Sequence, residues 1–114
     1  MKYYSTNNKS TQATLQEAVV KGLASDRGLY MPEVIKSLPD SFFEEMKDLS
    51  FQEVAYVVAD AFFGKDVEAE DLKKIVYETL NFDVPLVHVN DNIYSLELFH
   101  GPTLAFKDVG ARFM

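Results

Sequence analysis

Lys107 is the residue of this sequence best placed for covalent chemistry. It follows the segment PTLAF, at the point where a Gly/Pro loop turns into a helical pattern. Apolar neighbours and the positive end of a helix both oppose a positive charge, so both favour a neutral amine. A neutral amine is the form that Schiff-base chemistry requires. The alternative is an ordinary ion pair with the adjacent Asp108, and local sequence alone favours this second role.

The remaining ionisable side chains have simpler explanations. His88 and His100 are twelve residues apart, and the sequence contains no cysteine and no recognised metal-binding spacing. A zinc site needs three or four converging ligands, so we predict no metal site. His88 alternates with valines on a predicted strand and is assigned a structural role. His100 begins the Gly/Pro loop, where a structural hydrogen bond is favoured over a place in the lining of a pocket.

Composition limits the classes of function that remain. The 114 residues allow one domain of ordinary soluble composition, and a net charge of −7 disfavours nucleic acid and anionic membranes as partners. Without cysteine there is no disulfide framework or Cys nucleophile. The sequence has no signal peptide and no long apolar run, so the expected location is cytoplasmic. It also lacks a Walker A loop, a dinucleotide-binding glycine motif and a nucleophile elbow.

Four helices are predicted before the pattern changes. Their spans are 15–24, a short helix over Phe42 to Asp48 capped by Asp40 or Ser41, 51 to about 63, and 69–80. Gly64 is predicted at the position after the C-cap of the third helix. The inward residues of the fourth are predicted to be Leu72, Ile75, Val76 and Leu80. Two of them start with a capping box, Thr14/Glu17 and Ser50/Glu53. The segment ASDRGLYMPEVIKSLPD, punctuated by glycine and proline, is predicted as a loop that packs against the protein. No residue of the part covering 25–32 is assigned a function.

The last third of the sequence changes to a strand pattern. VPLVHV and IYSLELF are predicted as a hairpin joined by NDN. MKYYST is predicted as a short strand for which the hairpin is one candidate partner, although the sequence cannot show the pairing. A helical pattern then opens at Phe106 and is still apolar at Met114, with no capping residue after it. We therefore expect these residues to be the front of a longer protein. The predicted class is α+β: a mostly helical N-terminal domain, 1–84, followed by the start of an α/β catalytic domain, 85–114.

The segment ELFHGPTLAFKDVGARF strongly resembles the lysine region of the threonine synthase family, pyridoxal-phosphate enzymes of the tryptophan-synthase-β-like class. YYST, EAVVKGLASDRGLYMPE and LSFQEVAYVVADAFFG resemble successive landmarks of that family's N-terminal domain, in the bacterial and fungal type. The resemblance covers nearly all of the chain. Two departures are mild: Val109 replaces an expected Phe, and SDRGLY replaces a commoner DGGL form.

The resemblance implies that the complete enzyme converts O-phospho-L-homoserine and water into L-threonine and phosphate. Lys107 would carry pyridoxal phosphate through its amine and would move protons at the Cα, Cβ and Cγ atoms of the substrate. In this family the glycine-rich phosphate loop and the hydroxyl group on the pyridine nitrogen lie downstream. We therefore expect the 114 residues alone to be inactive, and to depend on the remainder of the chain as their partner. Oligomeric state is not predictable.

Two other classes of function stay open. The first is a different enzyme of the same structural class, such as a dehydratase or a cysteine synthase. The long helical lead-in and the HGPTLAFKD segment disfavour it, because the lysine segments of those enzymes usually read more like TGSFK. The second is a self-standing interaction module that binds a partner through its apolar C-terminal segment. Solubility distinguishes this alternative. A self-standing module should stay soluble without further chain, whereas a fragment should expose an apolar surface that promotes aggregation.

Overall fold

The computed structural model describes residues 1–114 and contains five strands and five α-helices. Its backbone contacts divide it into two compact units, Met1–Lys73 and Lys74–Met114. The elements of the first unit are β1 (Tyr3–Ser5), β2 (Gln12–Ala13), α1 (Leu15–Lys21), β3 (Tyr30–Pro32), α2 (Asp40–Glu45) and α3 (Phe51–Phe63). The helix α4 (Ala69–Thr79) spans the division, and the second unit continues with β4 (Leu86–Asn90), β5 (Ile93–Leu96) and α5 (Asp108–Ala111).

A small antiparallel sheet organises the first unit. β1 is its central strand, and the strand order is β2-β1-β3. Tyr3 lies opposite Ala13 on one side, and Tyr4 lies opposite Met31 on the other. The sequence predicted β1 but neither neighbour, because strands of two or three residues are too short to show an alternating pattern. One of its partners, β3, lies in the segment that was predicted as a loop.

The segment between α1 and β3 is held to β1 by a polar network. The hydroxyl of Ser5, which is fully buried, donates to Asp26 Oδ1 at 2.6 Å. The Gly28 N–H donates to the same oxygen at 3.0 Å. A Cβ atom on Gly28 would lie 2.1 Å from the Ser5 oxygen, so only glycine fits here without a shift. These hydrogen bonds, with that of Ser5 the stronger influence, hold the pKa of Asp26 below its ordinary value.

Both predicted capping boxes are present. The Thr14 side chain accepts from the Glu17 N–H at the start of α1, and the Ser50 side chain accepts from the Glu53 N–H at the start of α3. α1 ends at Lys21, earlier than predicted, because Gly22 takes a positive φ of 69°.

Two helix ends differ from the sequence expectation. α2 has Pro39 at its N-cap and no side-chain capping bond, so neither Asp40 nor Ser41 has the predicted capping role. A single 3₁₀ turn, Met46–Asp48, completes this segment. Gly64 is the C-cap of α3 with a right-handed helical φ of −63°, one position earlier than the sequence placed it.

The helix α4 confirms its predicted span to within one residue. Leu72 and Val76 are 1% exposed and Leu80 is also buried, as the helical spacing predicted. Ile75 was predicted to face inward but is partly exposed, because it lies at the margin of the buried stripe. The lysines and Glu78 lie on the exposed side, where Lys74 and Glu78 approach to 4.0 Å.

The predicted hairpin is formed by β4 and β5. Leu86 lies opposite Leu96, and the register shifts between His88 and Asn90, where the turn begins. Asp91 takes a φ of 47° in that turn, and its carbonyl lies 2.8 Å from the Nε2 atom of His88. His88 thus has the structural role that was predicted for it. Among the helices of the protein, none has the length and apolar character needed to cross a membrane.

Candidate functional site: the Lys107 loop

Lys107 lies at the end of a tight loop, residues 101–107, which we call the Lys107 loop. The Leu104 N–H donates to the Gly101 carbonyl at 3.0 Å, and Leu104 takes a φ of 56°. A positive φ is uncommon for a leucine and is maintained only where surrounding contacts enforce it. Lys107 is the N-cap residue of α5, so the amine emerges where the loop meets the helix.

Asp108 holds the loop closed from inside. It is 3% exposed, and its Oδ2 accepts from the Thr103 backbone N–H at 2.8 Å. Its Oδ1 accepts from the Thr103 hydroxyl, also at 2.8 Å. Gly101 lies directly against this carboxylate, since a Cβ atom there would be 2.6 Å from Oδ2. Both carboxylate oxygens therefore have a partner inside the loop, and charge-assisted bonds of this kind are the stronger ones.

This geometry removes the ion-pair alternative for Lys107. The Asp108 carboxylate binds Thr103, and the Lys107 amine has no ion pair or side-chain hydrogen bond of its own. The amine is exposed, so the burial on which the sequence argument for a neutral amine relied is absent from these residues. α5 has only four residues, so its dipole is also small. What the site offers is an unpartnered primary amine on a fixed loop.

The apolar side chains that flank the amine are also exposed. Leu104 is 75% exposed and Phe106 is 66% exposed. The predicted spacing of Phe106, Val109, Phe113 and Met114 does not produce a long amphipathic helix, because only Asp108–Ala111 is helical. The apolar stripe that the sequence suggested is therefore not buried within these residues.

His100 makes a structural hydrogen bond at the start of the loop. Its Nε2 lies 2.7 Å from Glu97 Oε2, and its ring stacks on Phe99 with centroids 4.7 Å apart. This is the first of the two roles that the sequence left open for it. Elsewhere in the protein, no three or more His, Asp or Glu side chains converge in a way that could hold a metal ion.

Arg112, which follows α5, makes contacts that sequence reasoning missed. Its guanidinium donates to the Thr79 carbonyl at 2.7 Å, to Asn81 Oδ1 at 3.1 Å and to the Glu78 carbonyl at 3.2 Å. Thr103 was missed as well. The Thr103–Asp108 pair had a weak local signal, because hydroxyl and carboxylate side chains close Gly/Pro loops through their own backbone. Arg112 had none, since its partners lie more than thirty residues away.

Comparison with known proteins places the whole chain in one family. A family model described as threonine synthase N terminus matches residues 2–80. The threonine synthase of Schizosaccharomyces pombe is 42% identical over 98% of this chain and 23% of its own length. That of Haemophilus influenzae is 40% identical over 100% of this chain and 26% of its own length. The chain therefore spans about a quarter of the length of these curated relatives.

Solved structures agree with the sequence comparison. The crystal structure of threonine synthase from Escherichia coli has a TM-score of 0.92 at 35% identity, over 99% of this chain and 26% of that one. The structure of pyridoxal-phosphate-bound threonine synthase from Brucella melitensis has a TM-score of 0.87 at 38% identity, over 96% of this chain and 25% of that one. The similarity includes nearly every residue described above.

Proposed function

The chain belongs to the threonine synthase family, and from this membership we propose that it is the N-terminal quarter of a threonine synthase. The complete protein would convert O-phospho-L-homoserine and water into L-threonine and phosphate, as a phosphate-eliminating lyase of the cytoplasm. The observation that carries the proposal is the 0.87 TM-score, over 96% of this chain, to a threonine synthase that binds pyridoxal phosphate.

The residues of the Lys107 loop fit pyridoxal phosphate as the cofactor. An aldehyde needs a primary amine that is accessible and is not already paired, and Lys107 meets both requirements. When bound, the cofactor would supply an electron-accepting ring that stabilises negative charge on the substrate carbon atoms. We assign Lys107 as both the cofactor-binding and the catalytic residue.

Each residue of the loop has a proposed part in the reaction. Once the substrate amine has replaced it on the cofactor, the Lys107 amine would take a proton from the substrate Cα atom and move protons at Cβ and Cγ. Asp108 and Thr103 fix the backbone from which that amine extends, because their two hydrogen bonds span the loop. A fixed starting point limits the positions that the amine can reach, which lowers the entropic cost of reaction. Exposed Phe106 and Leu104 provide apolar surface beside the amine for excluding water.

The same proposal assigns the two parts of the chain to different domains of the enzyme. We assign residues 1–84 to the N-terminal domain of the enzyme and residues 85–114 to the start of its catalytic domain. The cofactor phosphate would be bound by a later part of the protein, and the residues that bind the substrate phosphate are not predictable from this sequence. On this basis the 114 residues alone should form no threonine, even with added cofactor.

Covalent trapping of Lys107 in the complete protein tests the assignment. Pyridoxal phosphate is added, the complex is reduced with borohydride, and the modified peptide is identified by mass spectrometry while threonine formation is assayed. We expect the label on Lys107, and loss of both label and turnover in Lys107→Ala. Lys74→Ala, which changes an exposed lysine on α4, is the matched control and should keep both. A label on another lysine, or turnover in Lys107→Ala, would contradict the assignment.

A second measurement, the analysis of reaction products, distinguishes a threonine synthase from a related enzyme and from an interaction module. If the complete protein neither binds pyridoxal phosphate nor forms threonine, the enzymatic proposal fails. Threonine formation by the isolated 114 residues would instead disprove the claim that they are insufficient. A different reaction on the same cofactor, such as dehydration of threonine or serine, would identify the related enzyme class. These outcomes are distinguished by product analysis with each amino acid as substrate.

A further inference from the structure

Arg112 joins the helix that follows Lys107 to the end of α4. Its three hydrogen bonds end on two backbone carbonyls, those of Glu78 and Thr79, and on the side chain of Asn81. The Thr79 hydroxyl in turn donates to the Arg112 carbonyl at 3.4 Å. The guanidinium also lies 6.0 Å from the ring centroid of Phe82. A planar fork with several donors matches this set of acceptors, which a lysine ammonium does not.

The acceptors of Arg112 are groups that benefit from a nearby cation. The last carbonyls of an α-helix have no partner within the helix, and they lie at the negative end of its dipole. Thr79 is buried, so its carbonyl loses much of its access to water. A cation that binds these carbonyls both satisfies them and interacts favourably with the dipole. Arg112 thus acts as a C-terminal cap for α4 that is supplied from a distant part of the chain.

The same contact fixes the short helix that begins after Lys107. An isolated helix of four residues is not stable, because too few hydrogen bonds offset the cost of forming the first turn. α5 is held at its start by the Asp108–Thr103 hydrogen bonds and beyond its end by Arg112. Between these points the Lys107 carbonyl accepts from the Gly110 and Ala111 N–H groups. The backbone of Lys107 is therefore connected to the hydrogen bonds at both ends of α5.

We propose that Arg112 is a positioning residue for Lys107, acting through α5 to set the direction of the amine. The inference rests on the proposed function, because it assumes that Lys107 is the reactive lysine. Arg112 does not touch the amine, so its effect is on geometry and on the rate of reactions at Lys107. Its loss should leave substrate affinity nearly unchanged.

Arg112→Ala in the complete protein tests the proposal. We expect a fall in kcat of about ten- to a hundredfold with little change in KM, as for a misplaced reactive group. The rate of borohydride trapping of pyridoxal phosphate on Lys107 should fall in parallel. Amide hydrogen exchange of residues 104–111 should become faster, which is a readout that needs no activity. Arg112→Lys keeps the charge but loses the fork, and we expect an intermediate effect. Lys74→Ala, on the exposed side of α4, is the control.

The outcomes distinguish failure of this inference from failure of the proposed function. If wild-type protein is not trapped at Lys107 and forms no threonine, the proposed function fails. If wild type behaves as expected while Arg112→Ala has the same kcat and trapping rate, the Arg112 inference is overturned. The inference is also overturned if Arg112→Ala lowers the melting temperature but leaves kcat per trapped Lys107 unchanged, because Arg112 would then have only a structural role.

A second variant covers the case in which Arg112→Ala does not fold. Asn81→Ala removes one acceptor of the guanidinium and leaves both helix carbonyls bound. Loss of one such bond should slow trapping about two- to tenfold at a nearly unchanged melting temperature. An unchanged trapping rate in this variant would count against the proposal.

Discussion

Asp108 determines how the loop presents Lys107, although the two side chains do not pair. Sequence proximity suggested an ion pair between neighbours, but the carboxylate is buried and binds Thr103 instead. Consecutive residues at the start of a helix point in different directions, so one can face inward while the other faces solvent. This separation leaves the amine without a partner and keeps the loop closed.

Asp108→Asn is expected to weaken the loop while preserving its shape. The amide oxygen can accept from the Thr103 N–H while the NH₂ group donates to the Thr103 hydroxyl, so both contacts remain but lose the charge of the carboxylate. We expect a destabilisation of about 1 kcal/mol and slower trapping of Lys107. Chemical denaturation and borohydride trapping measure the two effects. Asp91→Asn, in the hairpin turn, is the control and should change neither. Equal stability of Asp108→Asn and wild type would show that the Thr103 contacts carry little energy.

Asp26 should make stability depend on pH in the acid range. Its folded-state pKa is lowered by the Ser5 hydroxyl first and by the Gly28 N–H second. As the pH falls below about 4, the unfolded state therefore binds a proton before the folded state does. The stabilisation is present above that pH and is lost as the pH falls through the folded pKa. Denaturation at pH 7, 5, 4 and 3 should show a smaller pH dependence for Asp26→Asn than for wild type. Parallel curves would contradict this explanation.

At the scale of elements, the starts of α1 and α3 are encoded locally, whereas the end of α4 is not. Ser50 and Glu53 satisfy each other's backbone N–H groups at the start of α3, and that start was predicted correctly. The last carbonyls of α4 depend instead on Arg112, which no local pattern indicates. The sheet likewise depends on contacts that no local pattern indicates, because β1 pairs with β2 and with β3 across connecting segments of different lengths.

Ser50→Ala should destabilise the first unit through loss of the α3 cap. Removing the hydroxyl leaves the Glu53 N–H without its acceptor, at a cost of about 1 kcal/mol. Thermal denaturation followed by circular dichroism measures the change. Ser41→Ala is the matched control, because Ser41 lies in the first turn of α2 without a capping role. A loss of stability as large in Ser41→Ala as in Ser50→Ala would exclude the cap as the cause.

At the scale of the whole molecule, apolar surface is unevenly distributed. The hairpin is exposed along both strands, and Leu86, Val89 and Ile93 are each more than three-fifths exposed. Large apolar side chains exposed together on one hairpin favour association. The chain spans about a quarter of its relatives' length, so those relatives have further chain that could cover such a surface.

The isolated 114 residues are expected to self-associate as concentration rises. Val89→Lys combined with Ile93→Glu removes apolar area from the hairpin without changing the net charge, and should reduce light scattering at equal concentration. The control exchanges charges on α4, with Glu70→Lys and Lys74→Glu, and should scatter like wild type. Monomeric behaviour of the unmodified chain at high concentration would support a self-standing module over an enzyme segment.

The sequence by itself determined the elements whose causes are local. Capping boxes, the α4 periodicity and the hairpin pattern each depend on residues within a few positions of one another, and the structure confirms them. The ELFHGPTLAFKDVGARF segment and the earlier landmarks also indicated the family, which the comparisons confirm. The role of Lys107 stays a prediction that trapping can test.

Only the tertiary structure decided which distant groups meet. The pairing of β1 with β2 and β3, the Ser5–Asp26 hydrogen bond and the attachment of Arg112 to α4 join residues far apart in sequence. The exposure of Lys107 and the burial of Asp108 were not predictable either. The physical reason is that contacts between distant residues depend on the free energy of closing the chain and packing the whole unit. Helix caps and periodicity depend only on residues that are neighbours along the backbone.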